Sequence, residues 1–459
     1  MTFAFYDLET TGTSPAFDQP LQFAAILTDD AFQEIERVNL RCRIAPHIIP
    51  SPWALAVTGV RPAQLVDPAL PTLLEFTQDI AGLIARWSPA TWTGFNSIRF
   101  DEEMLRQAFY QTLQPDIFAT QFNGNTRFDV LTALYAVWHR QPALLDWPVD
   151  ETGRVRFALD RIAPLNGFAD HDAHDALGDV AATIHIARLI AMRAPALWAE
   201  LLANRDKAHV QASLATFQPM ALVARIAGDL PRATRGCLAG YAADNPNQAA
   251  FFDLEAADPT EWLDADDDKL FAAVVDEPKL IRTLAVNTSP VLLALDEPSD
   301  LLRARAAVIA DAPEFRARVS RALAARFPKD HAAPPPPVEK QIFDGFYGRS
   351  DKALLAEFQR ADWRRRQEVI GALTDPRLRQ LGRRLVAFHA PELLSPAQRA
   401  QYKAWLQDRW SAPDAPETEW MTRAAAQRAL EELRAGGAVD EGLIAEIAGY
   451  LMRFETPQH

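Results

Sequence analysis

The first strand-like segment of this chain ends in two closely spaced carboxylates, and this feature limits the possible folds most. Residues 3–10 read FAFYDLET, an apolar run in which Asp7 and Glu9 are two positions apart. Side chains alternate between faces along a strand, so both carboxylates point to the same side. Like charges this close repel unless one carboxyl takes up a proton or a cation lies between them. The alternative is a solvated acidic turn, with Thr11 and Gly12 as turn residues.

Two more acids and a histidine follow at later junctions. Asp101 comes after the strand-like segment ATWTGF and opens the helix-like segment DEEMLRQAFY. Asp179 lies in a predicted helix over 175–192, and His174 precedes it by five residues. Each of these residues alone is more typical of a helix cap or a solvated surface group. Only their combination indicates a site.

The combination predicts metal-dependent chemistry. Four carboxylates that converge in one cleft repel one another strongly unless divalent cations neutralise them. Oxygen ligands suit Mg²⁺, with Mn²⁺ as the alternative, and two such ions about 4 Å apart can stabilise both oxygens of an in-line displacement at phosphorus. A histidine with a pKa of roughly 6.5 can take the proton from the attacking water. The predicted ligands are Asp7, Glu9, Asp101 and Asp179, and the predicted general base is His174.

The pattern of apolar segments, turn residues and prolines along the chain predicts three domains. Its 459 residues exceed what one core usually organises. Strand-like and helix-like segments alternate over 1–200 and predict an α/β domain, with strands near 20–29 and 35–44 and a helix over 72–87. Over 201–335, short apolar runs between turn signals predict a small β-barrel or sandwich followed by helices. The prolines of residues 331–339 predict a linker, and amphipathic helices then fill 340–459.

Composition limits the function classes. The net charge of −14 argues against a uniformly basic nucleic-acid surface, although arginines cluster near 315–329, 363–366 and 377–384. No apolar run approaches the length of a membrane span, and the N-terminus has no basic signal region, so we expect a cytoplasmic protein without a membrane partner. The two cysteines, Cys42 and Cys237, are too far apart in sequence to suggest a disulfide framework or a zinc site.

Three motifs together resemble those of the DEDDh 3′-to-5′ exonucleases. They read DLETTG, FNSIRFDEE and HDALGD, and all five functional positions match. The segments ALAVTGVRPAQL and IFDGFYGRSD further resemble the bacterial exodeoxyribonuclease I branch of that family. The first motif departs from this branch, which carries aromatic residues at the positions of Leu8 and Thr11.

The resemblance implies an α/β, ribonuclease-H-like exonuclease domain with a mixed sheet. A small Src-homology-3-like β-barrel domain and a C-terminal helical domain would follow it. The implied activity is Mg²⁺-dependent, processive digestion of single-stranded DNA from its 3′ end, releasing 5′-mononucleotides in DNA repair and recombination. The implied protein partner is the acidic C-terminal tail of single-strand binding protein, and the enzyme is expected to be a monomer.

Sequence also suggests how a DNA strand would be held. Leu8 and Thr10 beside the metal ligands are candidates to contact the terminal base and the 3′ sugar, or to pack in an ordinary turn. Other candidates are cations that either contact phosphates or are solvated surface charges: Arg99, Arg127, Arg156, Arg205 and Lys207. A last group would meet an acidic partner tail or form a solvated helix face: Arg316, Arg318 and Arg321.

Two other functions remain open at this stage. An RNA-trimming or proofreading exonuclease would use the same chemistry, but such relatives are generally single compact domains. A catalytically silent binding module could also keep the fold. The complete set of four acids and His174 argues against a silent module, because a chain without catalysis would gain stability by losing one of these repelling charges.

Overall fold

The computed structural model describes residues 1–168, 176–225, 230–327, 335–437 and 439–454. The N-terminal part contains a five-stranded sheet in the order β3-β2-β1-β4-β5. Its strands β1 and β2, and β2 and β3, pair antiparallel, whereas β1 and β4, and β4 and β5, pair parallel. The predicted mixed sheet of the exonuclease domain is therefore confirmed. The strands are β1 (Phe3–Thr10), β2 (Pro20–Thr28), β3 (Glu34–Arg41), β4 (Thr91–Gly94) and β5 (Thr126–Asp129).

Helices cover both faces of this sheet. The helices predicted over 72–87, 101–110 and 175–192 are present to within a residue or two, because caps and apolar periodicity define them locally. Thr72, for example, begins its helix with a capping box that includes Glu75. The helices are α1 (Pro52–Thr58), α2 (Pro62–Leu65), α3 (Leu73–Trp87), α4 (Asp101–Gln111), α5 (Val130–Arg140), α6 (Leu159–Leu165), α7 (Ala176–Arg193) and α8 (Pro195–Ala203).

The two faces of β1 pack against different helices. Phe3 and Phe5 share a core with residues of α5 and α7. Their neighbours Ala4, Tyr6 and Leu8 share a second core with residues of α3 and α4. This alternation follows from the period of two along a strand. It puts the positions of Asp7 and Glu9 on the α7 side of the sheet.

A second, antiparallel sheet has the order β10-β6-β7-β8-β9. Its strands lie within 201–335, where short apolar runs predicted a small barrel or sandwich, and its classification as a Src-homology-3-like barrel stays a prediction. The strands are β6 (Met220–Ala224), β7 (Arg232–Ala242), β8 (Asn245–Asp253), β9 (Ile281–Ala285) and β10 (Leu292–Ala294). The accompanying helices are α9 (Lys207–Ala215), α10 (Asp267–Val275), α11 (Asp300–Ala310) and α12 (Pro313–Ala325).

The C-terminal part is helical, as predicted. Residues 352–373 belong to two helices, because Asp362 follows the end of the first and caps the second. The helices are α13 (Arg349–Arg360), α14 (Trp363–Ala372), α15 (Pro376–His389), α16 (Pro396–Trp410), α17 (Arg423–Gly436) and α18 (Glu441–Leu451). Among the described residues, no single helix is long and apolar enough to cross a membrane. Helices α7 and α8 meet this criterion only when they are counted together, by length and composition alone, and the chain is bent between them.

The three predicted domains share hydrophobic cores. Val223 and Leu293 of the second sheet belong to the core under α5 and α7. Leu21 and Ile44 of the N-terminal part pack in one cluster with residues of α16, α17 and α18. These cores contain residues from both sides of the predicted boundaries near 200 and 335. The boundaries therefore stay predictions.

Candidate active site

Three of the predicted carboxylates meet at the carboxyl end of β1. Asp7, Glu9 and Asp179 each offer a carboxylate oxygen, and these oxygens all lie within 4.8 Å of one another. Strand β1 supplies two of them because residues two apart share a face. Helix α7 packs against β1 and brings Asp179 to the same face. Glu9 is buried, and the other two are half-buried.

Asp101 lies beside this acidic cluster. The parallel pairing of β1 with β4 ends at Phe5, and farther along β1 the Leu8 N–H donates to Asp101 Oδ1 at 3.0 Å. Asp101 is almost fully buried at the first position of α4. Burial raises its pKa, and the nearby charges of Asp129 and Asp179 raise the pKa further. Asp101 and Asp179 therefore interact electrostatically, and Asp179 connects Asp101 to the cluster with Asp7 and Glu9.

Asp129 also interacts electrostatically with Asp101, although the sequence reading missed it. It ends β5 and is buried, and its carboxylate accepts three backbone N–H bonds, from Asn96 at 2.9 Å, Leu131 at 3.0 Å and Ile98 at 3.2 Å. Burial raises its pKa to about 6. These bonds cap α5 and hold the turn that leads to Asp101. The signal was present as an acid between a strand and a helix, in TRFDVLTAL.

The structure does not support the roles predicted for Leu8 and Thr10. The Leu8 side chain is 5% exposed and packs in the α3 and α4 core, on the face opposite Asp7 and Glu9. The same alternation that pairs the two acids excludes Leu8 from their side. The buried Thr10 hydroxyl donates to the Gly12 carbonyl at 2.7 Å. Both residues therefore match the ordinary packing alternative.

Arg127 is also reassigned, because its guanidinium is buried and paired. Its Nη1 donates to Glu102 at 2.9 Å, and its Nη2 donates to the Asn287 carbonyl of the second sheet region at 2.5 Å. Glu102 additionally accepts from Arg106 at 2.7 Å and from Gln121 at 2.5 Å. The Arg127 guanidinium therefore connects the two regions, which argues against its predicted contact with a phosphate.

The other predicted cations have different surroundings. Arg99 is exposed in the turn between β4 and α4, two residues before Asp101. Arg156 pairs with Asp150 at 2.7 Å, and Lys207 donates to Asn247 at 2.6 Å. Arg205 is half-buried between α8 and α9, and burial lowers its pKa.

The group predicted to meet a partner tail lies on α12. Arg316 donates to the carbonyls of Ile309 and Ala310, and Arg318 donates to those of Leu263 and Ala265. These contacts lie within the second sheet region and do not support the proposed encounter with an acidic tail. Arg321 lies in the same helix.

The predicted base, His174, lies outside the described residues, in the gap before α7. Its role as general base stays a prediction. Asp179, five positions later, is the nearest predicted functional residue that the structure describes.

The loop after β1 contacts the C-terminal helices. Asp18 accepts from the Thr11 hydroxyl at 2.9 Å and from the Ser14 N–H at 2.9 Å. The ring of Phe17 lies 5.7 Å from that of Trp420, and the Arg409 guanidinium lies 5.5 Å from the Phe17 ring. The loop that follows Glu9 is thus held by residues about 400 positions away.

Two family models match the chain. A model described as Exonuclease matches residues 4–187, and one described as Exonuclease I C-terminal domain matches residues 336–452. The exodeoxyribonuclease I of Escherichia coli (strain K12) is 28% identical over 436 residues, covering 89% of this chain and 89% of that protein.

Solved structures match over nearly the whole chain. E. coli exonuclease I in complex with a dA16 oligonucleotide matches with a TM-score of 0.83 and 26% identity, covering 99% of both chains. SSB/exonuclease I in complex with an inhibitor matches with a TM-score of 0.81 and 26% identity, again covering 99% of both chains. The acidic cluster falls within the segment that matches the exonuclease model, and the C-terminal helices fall within the other. The chain is thus similar to exodeoxyribonuclease I proteins in both segments matched by the family models and over nearly its whole length in the solved structures.

Proposed function

We propose that this protein is a metal-dependent 3′-to-5′ exonuclease that shortens single-stranded DNA and releases 5′-mononucleotides. The observation that carries the proposal is the convergence of Asp7, Glu9 and Asp179 within 4.8 Å, with Asp101 beside them. Clustered carboxylates of this kind suit phosphodiester hydrolysis. The E. coli relative, whose structure contains a dA16 oligonucleotide, supports single-stranded DNA as the substrate.

The donor set fits hard divalent cations. Its atoms are carboxylate oxygens only, which favours Mg²⁺, with two ions in the site and Mn²⁺ as an alternative. Asp7, Glu9 and Asp179 would hold them, with Asp101 as the fourth ligand. When bound, the ions would stabilise the negative charge on the attacking and leaving oxygens.

The side chains of this protein would supply the remaining functions. His174 would take the proton from the attacking water. Arg99, exposed beside Asp101, would contact the phosphate backbone, and Arg156, Arg205 and Lys207 are further proposed contacts. Contacts of this type read the backbone and not the sequence, as a general exonuclease requires.

The family also supports proposals about context. The protein would act processively in DNA repair and recombination, as a monomer in the cytoplasm. It would bind the acidic C-terminal tail of single-strand binding protein, and the solved SSB/exonuclease I structure supports this partner.

A timed digestion tests substrate class and processivity together. Purified protein with Mg²⁺ receives 5′-labelled single-stranded DNA or RNA of the same sequence, and excess unlabelled DNA is added as a trap once digestion begins. We expect faster shortening of DNA and continued shortening after the trap is added. Preference for RNA would favour the RNA-trimming alternative.

A matched pair of variants then tests the site. Asp7→Ala should abolish cleavage but keep single-stranded DNA binding in Ca²⁺, because it removes a metal ligand. Asp30→Ala, which removes an acid that is 72% exposed in the same domain, should cleave normally. Full cleavage by Asp7→Ala would contradict the proposed metal site.

A further inference from the structure

The loop between β1 and β2 forms a closed turn directly beyond the acidic cluster. The Thr11 N–H donates to the Gln19 carbonyl at 2.9 Å, and the Gln19 N–H donates to the Thr11 hydroxyl at 3.0 Å. The Asp18 carboxylate lies against Gly12, since a Cβ placed on Gly12 would be 2.5 Å from Asp18 Oδ2. The loop therefore has one tightly packed conformation, and contacts made at any of its residues act on the whole turn.

A register shift connects this loop to the proposed metal ligand Glu9. Glu9 pairs with Gln22 of β2, whereas the next residue, Thr10, pairs with Pro20. An irregularity of this kind bends the strand and changes the direction of the side chains beside it. The conformation of the loop therefore contributes to the direction of the Glu9 carboxylate, which is buried in the acidic cluster.

The C-terminal helices hold this loop through its phenylalanine. Phe17 is 5% exposed, and its ring packs against that of Trp420 at 5.7 Å. The Arg409 guanidinium lies 5.5 Å from the Phe17 ring and 4.9 Å from the Trp420 ring. A cation beside two aromatic rings is attracted to both, and more strongly when it is buried. Arg409 and Trp420 thus form the surface on which Phe17 packs.

Arg409 is itself fixed by buried partners. Its Nη1 donates to Glu339 at 3.3 Å, and its Nε donates to the His47 carbonyl at 3.1 Å. Glu339 is 1% exposed and also accepts from Arg384 at 2.7 Å. Burial lowers the pKa of Arg409 to about 10, while the charges of Glu339 and Asp18 act in the opposite direction. The guanidinium is therefore charged at neutral pH and held in one place.

The same contacts reach the helix that Asp101 opens. Gln107 of α4 donates to the Glu339 carbonyl at 3.1 Å. Gln111, one turn later on α4, donates to the Ala16 carbonyl in the loop after β1 at 3.0 Å. The C-terminal region therefore contacts both the loop beside the acidic cluster and the helix that supplies its fourth acid.

We propose that Arg409 is a positioning residue for the metal site: through Phe17 it fixes the loop after β1, and thereby the direction of the Glu9 carboxylate. The inference rests on the proposed function, since it concerns the site of the divalent ions. Residues that orient metal ligands from behind typically change metal affinity by about 10- to 100-fold when they are removed. Because Arg409 acts through the loop, we expect an effect at the lower end of this range.

Binding of Mn²⁺ in the absence of DNA tests the proposal. The ion is titrated into the full-length protein well below its melting temperature, and free Mn²⁺ is measured by electron paramagnetic resonance. Arg409→Met, which removes the charge and keeps a long side chain, should weaken Mn²⁺ binding roughly tenfold. Wild-type Mn²⁺ affinity in the folded variant would overturn the inference.

The matched control is Arg377→Met, which removes another buried guanidinium of the C-terminal helices. Arg377 pairs with Asp375 at 2.6 Å and donates to the carbonyls of Gln341 and Gly345. Its removal should lower the melting temperature, as that of Arg409 does, because each leaves a buried acid with one partner fewer. Mn²⁺ affinity should fall in Arg409→Met only. An equal loss in Arg377→Met would indicate general loosening of the fold and contradict a positioning role.

Kinetics and DNA binding separate positioning from substrate contact. Arg409→Met should need roughly tenfold more Mg²⁺ for half-maximal kcat, with the KM for DNA unchanged. The salt slope, which is the slope of log affinity for single-stranded DNA against log salt, should match that of the wild type in EDTA. A shallower slope would make Arg409 a phosphate contact and contradict the proposal.

A double-mutant cycle tests the route through Phe17. Phe17→Leu should weaken Mn²⁺ binding by itself and add little to Arg409→Met, because both substitutions remove the same contact. Full additivity would exclude this route. If Arg409→Met does not fold, the Mn²⁺ affinity of Phe17→Leu against the wild type decides. Unchanged Mn²⁺ binding in these variants overturns this inference alone, whereas failure of the wild-type protein to bind Mn²⁺ and cleave single-stranded DNA overturns the proposed function as well.

Discussion

Asp101→Asn should stabilise the metal-free protein. In the folded chain, burial and the charges of Asp129 and Asp179 raise the pKa of Asp101 from 3.8 to about 8. The asparagine removes the charge, and its amide oxygen can still accept the 3.0 Å bond from the Leu8 N–H. The substitution therefore separates the electrostatic cost of the site from its hydrogen bonding.

The magnitude follows from the pKa change. A carboxyl with a raised folded-state pKa destabilises the fold increasingly as pH rises from its unfolded pKa to its folded pKa. Each pKa unit corresponds to about 1.4 kcal/mol, so the penalty is on the order of 4 kcal/mol at pH 7 and disappears near pH 4. For a domain of about 200 residues, each kcal/mol shifts the melting temperature by about 2 to 4 °C.

The assay is thermal unfolding in EDTA at several pH values between 4 and 8. The melting temperature of Asp101→Asn should exceed that of the wild type, and the difference should grow with pH. The control Asp267→Asn, which changes an exposed acid at the start of α10, should have little effect. Added Mg²⁺ should stabilise the wild type more than the variant, because it binds the folded state. A lower melting temperature for Asp101→Asn in EDTA at pH 7.5 would refute the reasoning and show that the Leu8 contact dominates.

Two further predictions concern the reassigned arginine and the proposed base. Arg127→Met should lower the free energy of unfolding by about 2 to 3 kcal/mol, because Glu102 keeps Arg106 but loses one buried partner; urea unfolding measures this. Its salt slope for DNA should match the wild type, and a shallower slope would restore Arg127 as a phosphate contact. His174→Ala should lower the cleavage rate by about 10² to 10⁴, and its pH profile should be flat where the wild type rises between about pH 6 and 7. An unchanged profile would exclude His174 as the base.

Local rules were enough to predict the elements that carry the site. The strand at the N-terminus is a short, mostly apolar run, the helix opened by Asp101 carries three acids in its first turn, and the helix of Asp179 contains many apolar residues. Their order along the chain then predicted that the acids converge, which the oxygens of Asp7, Glu9 and Asp179 confirm. Leu8 was misplaced although the same strand rule, applied to it, puts its side chain on the opposite face.

Such local rules do not predict contacts between residues that are distant in sequence. Arg127 appeared as one more basic residue, because nothing near it indicates the pairing with Glu102, 25 positions earlier, or with the Asn287 carbonyl, 160 positions later. The hydrogen bond between Arg225 and Tyr135 was not predicted for the same reason, because it depends on how the second sheet packs on α5. A charged residue on a short segment has many possible surroundings, and only tertiary packing selects one of them.

The elements that carry the acidic site make packing contacts with both of the regions that follow in the chain. These contacts argue that both regions help to stabilise the N-terminal sheet. Residues 1–200 alone would lose the Asn287 carbonyl that Arg127 contacts, and would expose the apolar side chains of Leu21 and Ile44 that the C-terminal helices cover. They would also lose the Trp420 and Arg409 contacts to Phe17, just beyond Glu9. A buried donor without one of its acceptors and an uncovered apolar face both destabilise a domain. Truncation to residues 1–200 should therefore destabilise the N-terminal sheet and the loop after β1, because both lose contacts to the regions that follow.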